Sequence, residues 1–405
     1  MNPNRNFFVT RSRFSIAETL FRSGCDRLGL ALFALGCLLL SLAYVYKIAY
    51  GEAGSDLLWR ITEAKYFLRE INPFDEFVRH TKTAKDFGQI PAAYSFISYY
   101  FASALYLVTP NDQSAIITFA VLDVCALILG VNLLIKYLGV SIRRTLIVFP
   151  ALLGSVFFWQ HLAFLNYTVI ATLGLILVVY GLSIRRTLLV IIGALILGLK
   201  PSFAIPTFIF LLFAKEWRIF FYSALLYLLL LILTALQIHT NPVDILLQLL
   251  DTQRIFSEQF YFYRSEGLFL FLRPLVGSQL TLIGLATTCL ILGYYRKVLY
   301  DPYVSLILVV SCGVSLFYNQ VHAWIAVYPL LILALNAYLD DKLTRLPLIS
   351  LVSLIIFVIA PRLSGIFSEM HMDTYLYLHN IVRFSLLWLA SGLLIHLRVK
   401  QLKSN

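Results

Sequence analysis

Four side chains in this sequence pair a chemically capable residue type with a setting that an inert surface position would not have. Asp56 follows Gly54-Ser55 and opens the stretch DLLWRITEAKYFLRE, in which Leu57, Ile61, Ala64 and Leu68 recur at i, i+4, i+7 and i+11. Arg60, Glu63 and Glu70 fall off that stripe. The pattern predicts an amphipathic helix on the membrane surface, with Trp59, Tyr66 and Phe67 at the interface, ended by Asn72-Pro73. A carboxylate at its start is either an N-cap, worth about 1 kcal/mol, or a general base. Lys200 stands between Ile196-Leu197-Gly198-Leu199 and Pro201. An ammonium in the middle of a lipid-facing helix costs about 2.5–3.5 kcal/mol or more, so it either snorkels to an interface or faces a carboxylate, a phosphate or an aqueous cavity. His322, within Tyr318-Asn319-Gln320-Val321-His322-Ala323-Trp324, is a titratable group in a short turn between two apolar runs. Arg264, with Arg273, punctuates a long polar stretch near Tyr261 and Tyr263.

The elements that must position these groups are membrane helices. Apolar residues make up 60% of the 405 and charged residues only 13%, against about 45–50% and about 25% in soluble domains. Apolar runs fall at about 28–50, 91–108, 114–135, 145–164, 167–183, 187–199, 201–214, 218–239, 275–293, 300–317, 324–338, 346–363 and 378–397. The chain is therefore expected to be all-α, a single polytopic membrane domain over 1–405 with about 12 transmembrane helices and both ends cytoplasmic. The pair 187–199 and 201–214 reads either as one broken crossing, giving twelve, or as two half-helices meeting within the membrane, in which case another run is re-entrant. Leu28–Tyr50 is too long for a signal-peptide core and is expected to remain as the first helix. The long polar stretches 51–90 and 240–274 are expected to be extracytoplasmic.

The net charge of +11 does not point to nucleic acid. The basic residues sit in small clusters between apolar runs, such as Arg143–Arg144, Arg185–Arg186, Lys215/Arg218 and Arg296–Lys297, as the positive-inside rule requires. The five cysteines are scattered without paired spacing. No Walker loop and no G-x-G-x-x-G follows a strand pattern, and the short basic connections leave no room for a nucleotide-binding domain.

Taken in order, these motifs resemble a family. Gly54-Ser55-Asp56, an aromatic-bearing helix and Asn72-Pro73-Phe74 look like the Asp…Asn-Pro-Tyr segment of GT-C glycosyltransferases. The resemblance is to glycosyltransferase family 87, the bacterial polyprenyl-phosphate-mannose-dependent α-mannosyltransferases. Gly193…Gly198-Leu199-Lys200-Pro201 followed by Lys215-Glu216-Trp217-Arg218 is similar to that family's glycine-rich helix, Lys-Pro break and basic-Trp exit, and His322 precedes Tyr328-Pro329. The sequence departs from the family at Ile90-Pro91-Ala92-Ala93-Tyr94, where Tyr-Pro-Pro is usual, at Gln160…Asn166 in place of Gly-Gln-x-Asn, and at Phe74. The resemblance implies a GT-C-like helical bundle in the bacterial inner membrane, with its active site extracytoplasmic. It implies hexose transfer, with mannose as the sugar, from a polyprenyl-phosphate donor to a glycolipid or polysaccharide acceptor, with no cofactor and no metal. Asp56 and His322 would be catalytic; Lys200, Arg264, Tyr94 and Asn72 would bind donor or sugar. A lipid-linked oligosaccharide polymerase or ligase, or a transporter or flippase, is the alternative reading.

Overall fold

The structure, a computed structural model, describes residues 54–76, 95–138, 165–255, 280–317, 325–340, 345–359 and 372–404, together with single positions at 35, 39, 42, 46, 140, 161 and 164. The described residues are helical, with no strand among them. The helices are α1 (Ser55–Leu68), α2 (Phe96–Val108), α3 (Asp112–Leu138), α4 (Thr168–Ser183), α5 (Thr187–Leu197), α6 (Pro201–Phe213), α7 (Trp217–Gln237), α8 (Pro242–Ile255), α9 (Leu280–Tyr294), α10 (Pro302–Ser315), α11 (Tyr328–Asp340), α12 (Leu346–Ile359) and α13 (Met372–Ser404). Three of them contain stretches long and apolar enough to cross a bilayer: Asp112–Lys136, Trp217–Gln237 and Asn380–Lys403. The outward surface of α7, with Phe221, Leu225, Leu229, Leu233 and Leu236 exposed, would be untenable in water and suits lipid tails.

Why the bundle holds is clearest at α4 and α5. They are joined by a tight turn in which Arg185 takes a left-handed φ of 56° and the Arg186 N–H donates to the Gly181 carbonyl at 2.8 Å, the 6→1 bond of a Schellman motif. The two helices then run antiparallel with Gly174 against Gly193. A Cβ on Gly193 would come within 2.6 Å of the Gly174 carbonyl oxygen, so only glycine permits this backbone approach, as in small-residue membrane interfaces. The same closing motif, with Lys215 at φ 61° and Glu216 N–H to Leu211 O at 3.0 Å, joins α6 to α7. A cation at each of these helix C-termini also meets the negative end of the helix dipole.

The contacts settle how the 187–214 pair runs. Thr168, the first residue of α4, touches Lys200, whereas Gly181, near its end, packs on Val190 of α5. α5 therefore climbs from the Arg185–Arg186 turn towards Lys200. α6 descends again: Phe203 near its start packs on Gly313, and Phe213 at its end packs on Gly293. The two are half-helices meeting at Lys200-Pro201, and the basic turns at Arg185–Arg186 and Lys215 lie at the same end of the bundle. Asp301 and Arg398, joined at 2.9 Å, extend that basic end.

The run 91–108 contains α2, which lies along α1 and brings the chain back to it. Tyr99 stacks on Phe67 of α1 at 5.7 Å, Lys65 of α1 lies 5.2 Å over the Tyr106 ring, and Asp112, just beyond α2, pairs with Lys65 at 3.2 Å. Both α1 and the start of α3 thus sit at the end where α2 finishes. The apolar character of α2 serves burial against α1 and α7, where Tyr100 donates to the Leu230 carbonyl at 3.3 Å, rather than exposure to lipid.

Candidate functional site

The site is built on α1. Gly54 starts the helix at φ +90°, a conformation that suits glycine, and a Cβ there would press on Ile116 of α3 at 2.8 Å. Gly54 is therefore the cap, and Asp56 lies two residues beyond it in the first turn, which removes the N-cap reading of its carboxylate. The expected apolar stripe is present, with Leu57, Ile61 and Ala64 buried. A second stripe is buried beside it: Asp56, Arg60, Glu63 and Phe67, again at i, i+4, i+7 and i+11. This corrects the expectation that Arg60 and Glu63 face away from the packed side. The helix is enclosed on two faces, and the second face carries the charge.

Within that stripe the Arg60 Nη1 donates to both Glu63 carboxylate oxygens at 2.7 Å. Burial pushes the Glu63 pKa up to about 8 against the pull of Arg60, with the Asp56 charge adding to the rise. Asp56, 6% exposed, is likewise raised above the ordinary carboxylate range by burial, and Arg60, Lys200 and His161 oppose the shift. Those three opposing charges identify what surrounds it: one group from its own helix, one from the α5–α6 apex, and one from the segment before α4.

Lys200 is the N-cap residue of α6, with Pro201 in the first helical position. The α5–α6 break leaves its backbone extended, and its side chain is directed back at α4, where Nζ donates to Thr168 Oγ1 at 2.8 Å. It is buried, so it does not snorkel. Thr168 is held in turn by Asn166, whose Oδ1 accepts from the Thr168 N–H at 2.9 Å. His161 reaches Asp123 of α3 through Nε2, and both side chains are fully enclosed. Several buried polar atoms at this locus have no hydrogen-bond partner: His161 Nδ1, Asn166 Nδ2 and the Tyr99 hydroxyl. Each orphan of this kind costs about 1–3 kcal/mol unless a ligand or water completes it.

Asp56 and Lys200, 144 positions apart in the sequence, are thus brought together. Asn72 Oδ1 accepts from the Phe74 N–H at 3.0 Å and its Nδ2 donates to Gln248 of α8 at 3.0 Å, so its polar atoms tie the segment after α1 to α8. Tyr94, Arg264 and His322 lie outside the described residues. Sequence reasoning passed over Arg60, Glu63, Asp123 and His161. The available signal was that Asp123 and His161 are lone ionisable residues inside apolar runs, which in a membrane calls for a partner. No protein-family model, curated protein or solved structure matches the chain.

Proposed function

We propose that this chain is a membrane glycosyltransferase that moves a hexose, with mannose the sugar its family resemblance implies, from a polyprenyl-phosphate donor to a glycolipid or glycan acceptor at the extracytoplasmic face. The observation that carries the reading is the burial of Asp56 and Lys200 within one cluster. Transfer from a glycosyl phosphate needs a carboxylate to take the acceptor proton and a cation for the departing phosphate. Asp56 and Lys200 are those two types, and orphaned donors beside them suit a hydroxyl-rich ligand. Burial that raises the Asp56 pKa also makes it a stronger base once ionised, and Lys200 favours that ionised form.

The course of the chain supports the orientation. Counting 28–50, α3, 145–164, α4, α5, α6, α7, α9, α10, α11, α12 and α13 as passes, and leaving α2 at the outer end, returns both termini to one side. The basic clusters at Arg143–Arg144, Arg185–Arg186, Lys215/Arg218, Arg296–Lys297, Lys342/Arg345 and Arg398 then all fall on that side, which the positive-inside rule makes cytoplasmic. Asp56 and Lys200 fall on the other.

The test is sugar transfer from a radiolabelled polyprenyl-phosphate hexose in liposomes. Asp56→Asn keeps side-chain size and removes the proton acceptor. It is expected to lose about 10²–10⁴-fold in rate with an unchanged thermal midpoint. Transfer within a few-fold of wild type would sink the assignment.

A further inference from the structure

The sequence pattern points to α1 as a membrane-surface helix, yet the structure encloses α1 on two faces. α8, by contrast, keeps an uncovered apolar side. It follows α7 through residues 238–241. There His239 takes a left-handed φ of 52°, and the Thr240 N–H donates to the Ala235 carbonyl at 2.9 Å, which closes α7. Asn241 Oδ1 accepts from the Val243 N–H at 2.9 Å and starts α8. α8 therefore begins at the level where α7 ends, and α7 is long and apolar enough to cross a bilayer. The lipid-suited surface of α7 continues to its last turn, where Leu236 is 67% exposed. In α8, Val243, Leu246 and Leu247 are exposed as well, and their spacing at i, i+3 and i+4 puts them on one side of the helix. Ile245, on another side, is buried. Gln248 fastens α8 to the segment after α1: its Oε1 accepts from Asn72 Nδ2 at 3.0 Å and its Nε2 donates to Asp75 Oδ1 at 3.1 Å.

We propose that α8 lies along the bilayer boundary at the Asp56 end of the bundle, with Val243, Leu246 and Leu247 seated among the lipid acyl chains of that leaflet. Lipid is the occupant because this side of α8 continues the lipid-facing surface of α7 across the turn at 238–241, so both meet the same surroundings. Water would leave three large apolar side chains uncovered beside a fourth, Leu236. Residues 242–251 carry two carboxylates, Asp244 and Asp251, and no cation, so α8 is held by its apolar side and not by attraction to anionic headgroups. Asp244, exposed on the flank of the apolar side, then points towards the headgroups and water. The seat is carried to Asn72 and Asp75 through Gln248, and holds whatever reaction the Asp56 cluster performs.

The test is a depth measurement on the full-length protein in phosphatidylcholine nanodiscs. A genetically encoded fluorescent amino acid replaces Leu247 in one variant and Asp244 in another, which leaves the native cysteines in place. Both positions are exposed, so neither probe displaces a packed side chain. Quenching is compared between lipids bearing a nitroxide at different acyl positions and iodide in the water. The probe at Leu247 should be quenched by the acyl nitroxides, at about 5–10 Å into the boundary between headgroups and acyl chains, and spared by iodide. The probe at Asp244 should lie shallower and be quenched by iodide. Iodide quenching at Leu247 equal to that at Asp244 would place the apolar side in water and overturn the proposal. A probe at Leu247 shielded from both quenchers would mean that protein covers it, a second copy of the chain included, and that result overturns it as well.

Discussion

Glu63 and Lys200 are the two residues at which burial has the most readily measured consequence. The folded Glu63 pKa of about 8 lies above its ordinary value of 4.5, so the folded state holds a proton that the unfolded chain releases between those values. Its contribution to stability is fully present below the ordinary pKa and is lost as pH rises through about 8. The thermal midpoint in nanodiscs should therefore decline across that window in wild type, and the decline should shrink in Glu63→Gln, which mimics the protonated carboxyl. Parallel curves would show that Glu63 does not carry the effect. Lys200→Met retains the apolar stem and loses the bond to Thr168 Oγ1. Under the proposed function it removes the phosphate's counter-charge, so donor affinity, read by titration with a polyprenyl-phosphate hexose, should fall at least 10-fold, in the range of one lost charge-assisted hydrogen bond. Unchanged affinity would leave Lys200 with a purely structural bond.

At the scale of elements, apolar runs made most helices legible. The runs 167–183, 187–199, 201–214 and 218–239 correspond to α4 to α7 within a few residues, because a helix that must satisfy its backbone inside lipid announces itself by length and composition. What the runs could not distinguish was lipid from protein as the apolar surrounding. α2 is as apolar as a crossing because it is packed between α1 and α7, and nothing in its own residues says so. The charged stripe of α1 was obscured for a related reason: one apolar stripe accounts for one buried face, and the second is buried only by distant partners, His161 and Lys200 beside Asp56 and Tyr99 beside Glu63 and Arg60. The pairing of His161 with Asp123 joins residues 38 positions apart and has no local signature. The contact between the segment after α1 and α8 is of the same long-range kind. Asn72→Ala deletes both the bond to Phe74 N–H and the bond to Gln248. The expected loss is about 1–3 kcal/mol, two hydrogen bonds at about 0.5–1.5 each. Hydrogen exchange should rise in α8 and leave α4 and α5 unaffected; uniform exchange across all three would mean the tie is not local.

For the whole molecule, the decisive question is which end faces the cytoplasm, and α2 sharpens it. Had α2 been a crossing, the connection at 109–113 would lie opposite α1; the pair Lys65–Asp112 holds it beside α1 instead. A count of apolar runs alone reached about a dozen crossings with one run too many and one pair undecided, and positive-inside clustering gave the orientation without saying which run to drop. Gln113 is exposed at that connection. Cysteine at Gln113 should react with an impermeant maleimide in intact cells, and cysteine at Arg185 only after lysis. The reverse pattern would place Asp56 and Lys200 on the cytoplasmic face and remove the argument for a donor presented from the outer leaflet.

The half-helices α5 and α6 have a consequence for how the protein is made. At 11 and 13 residues, they reach about 17 and about 20 Å at 1.5 Å per residue, less than the thickness of the hydrocarbon layer. A nascent chain that had emerged only through Leu199 would present the insertion machinery with a segment too short to be retained. One that had emerged through Lys200 would present the same segment with an ammonium at its tip. Retention becomes favourable when α6 follows and Thr168 of α4 is already in place to receive Lys200. Entry of the pair as a single hairpin onto an α4 inserted beforehand would meet both constraints, and the order of synthesis, with α4 preceding α5 and α6 in the chain, supplies it.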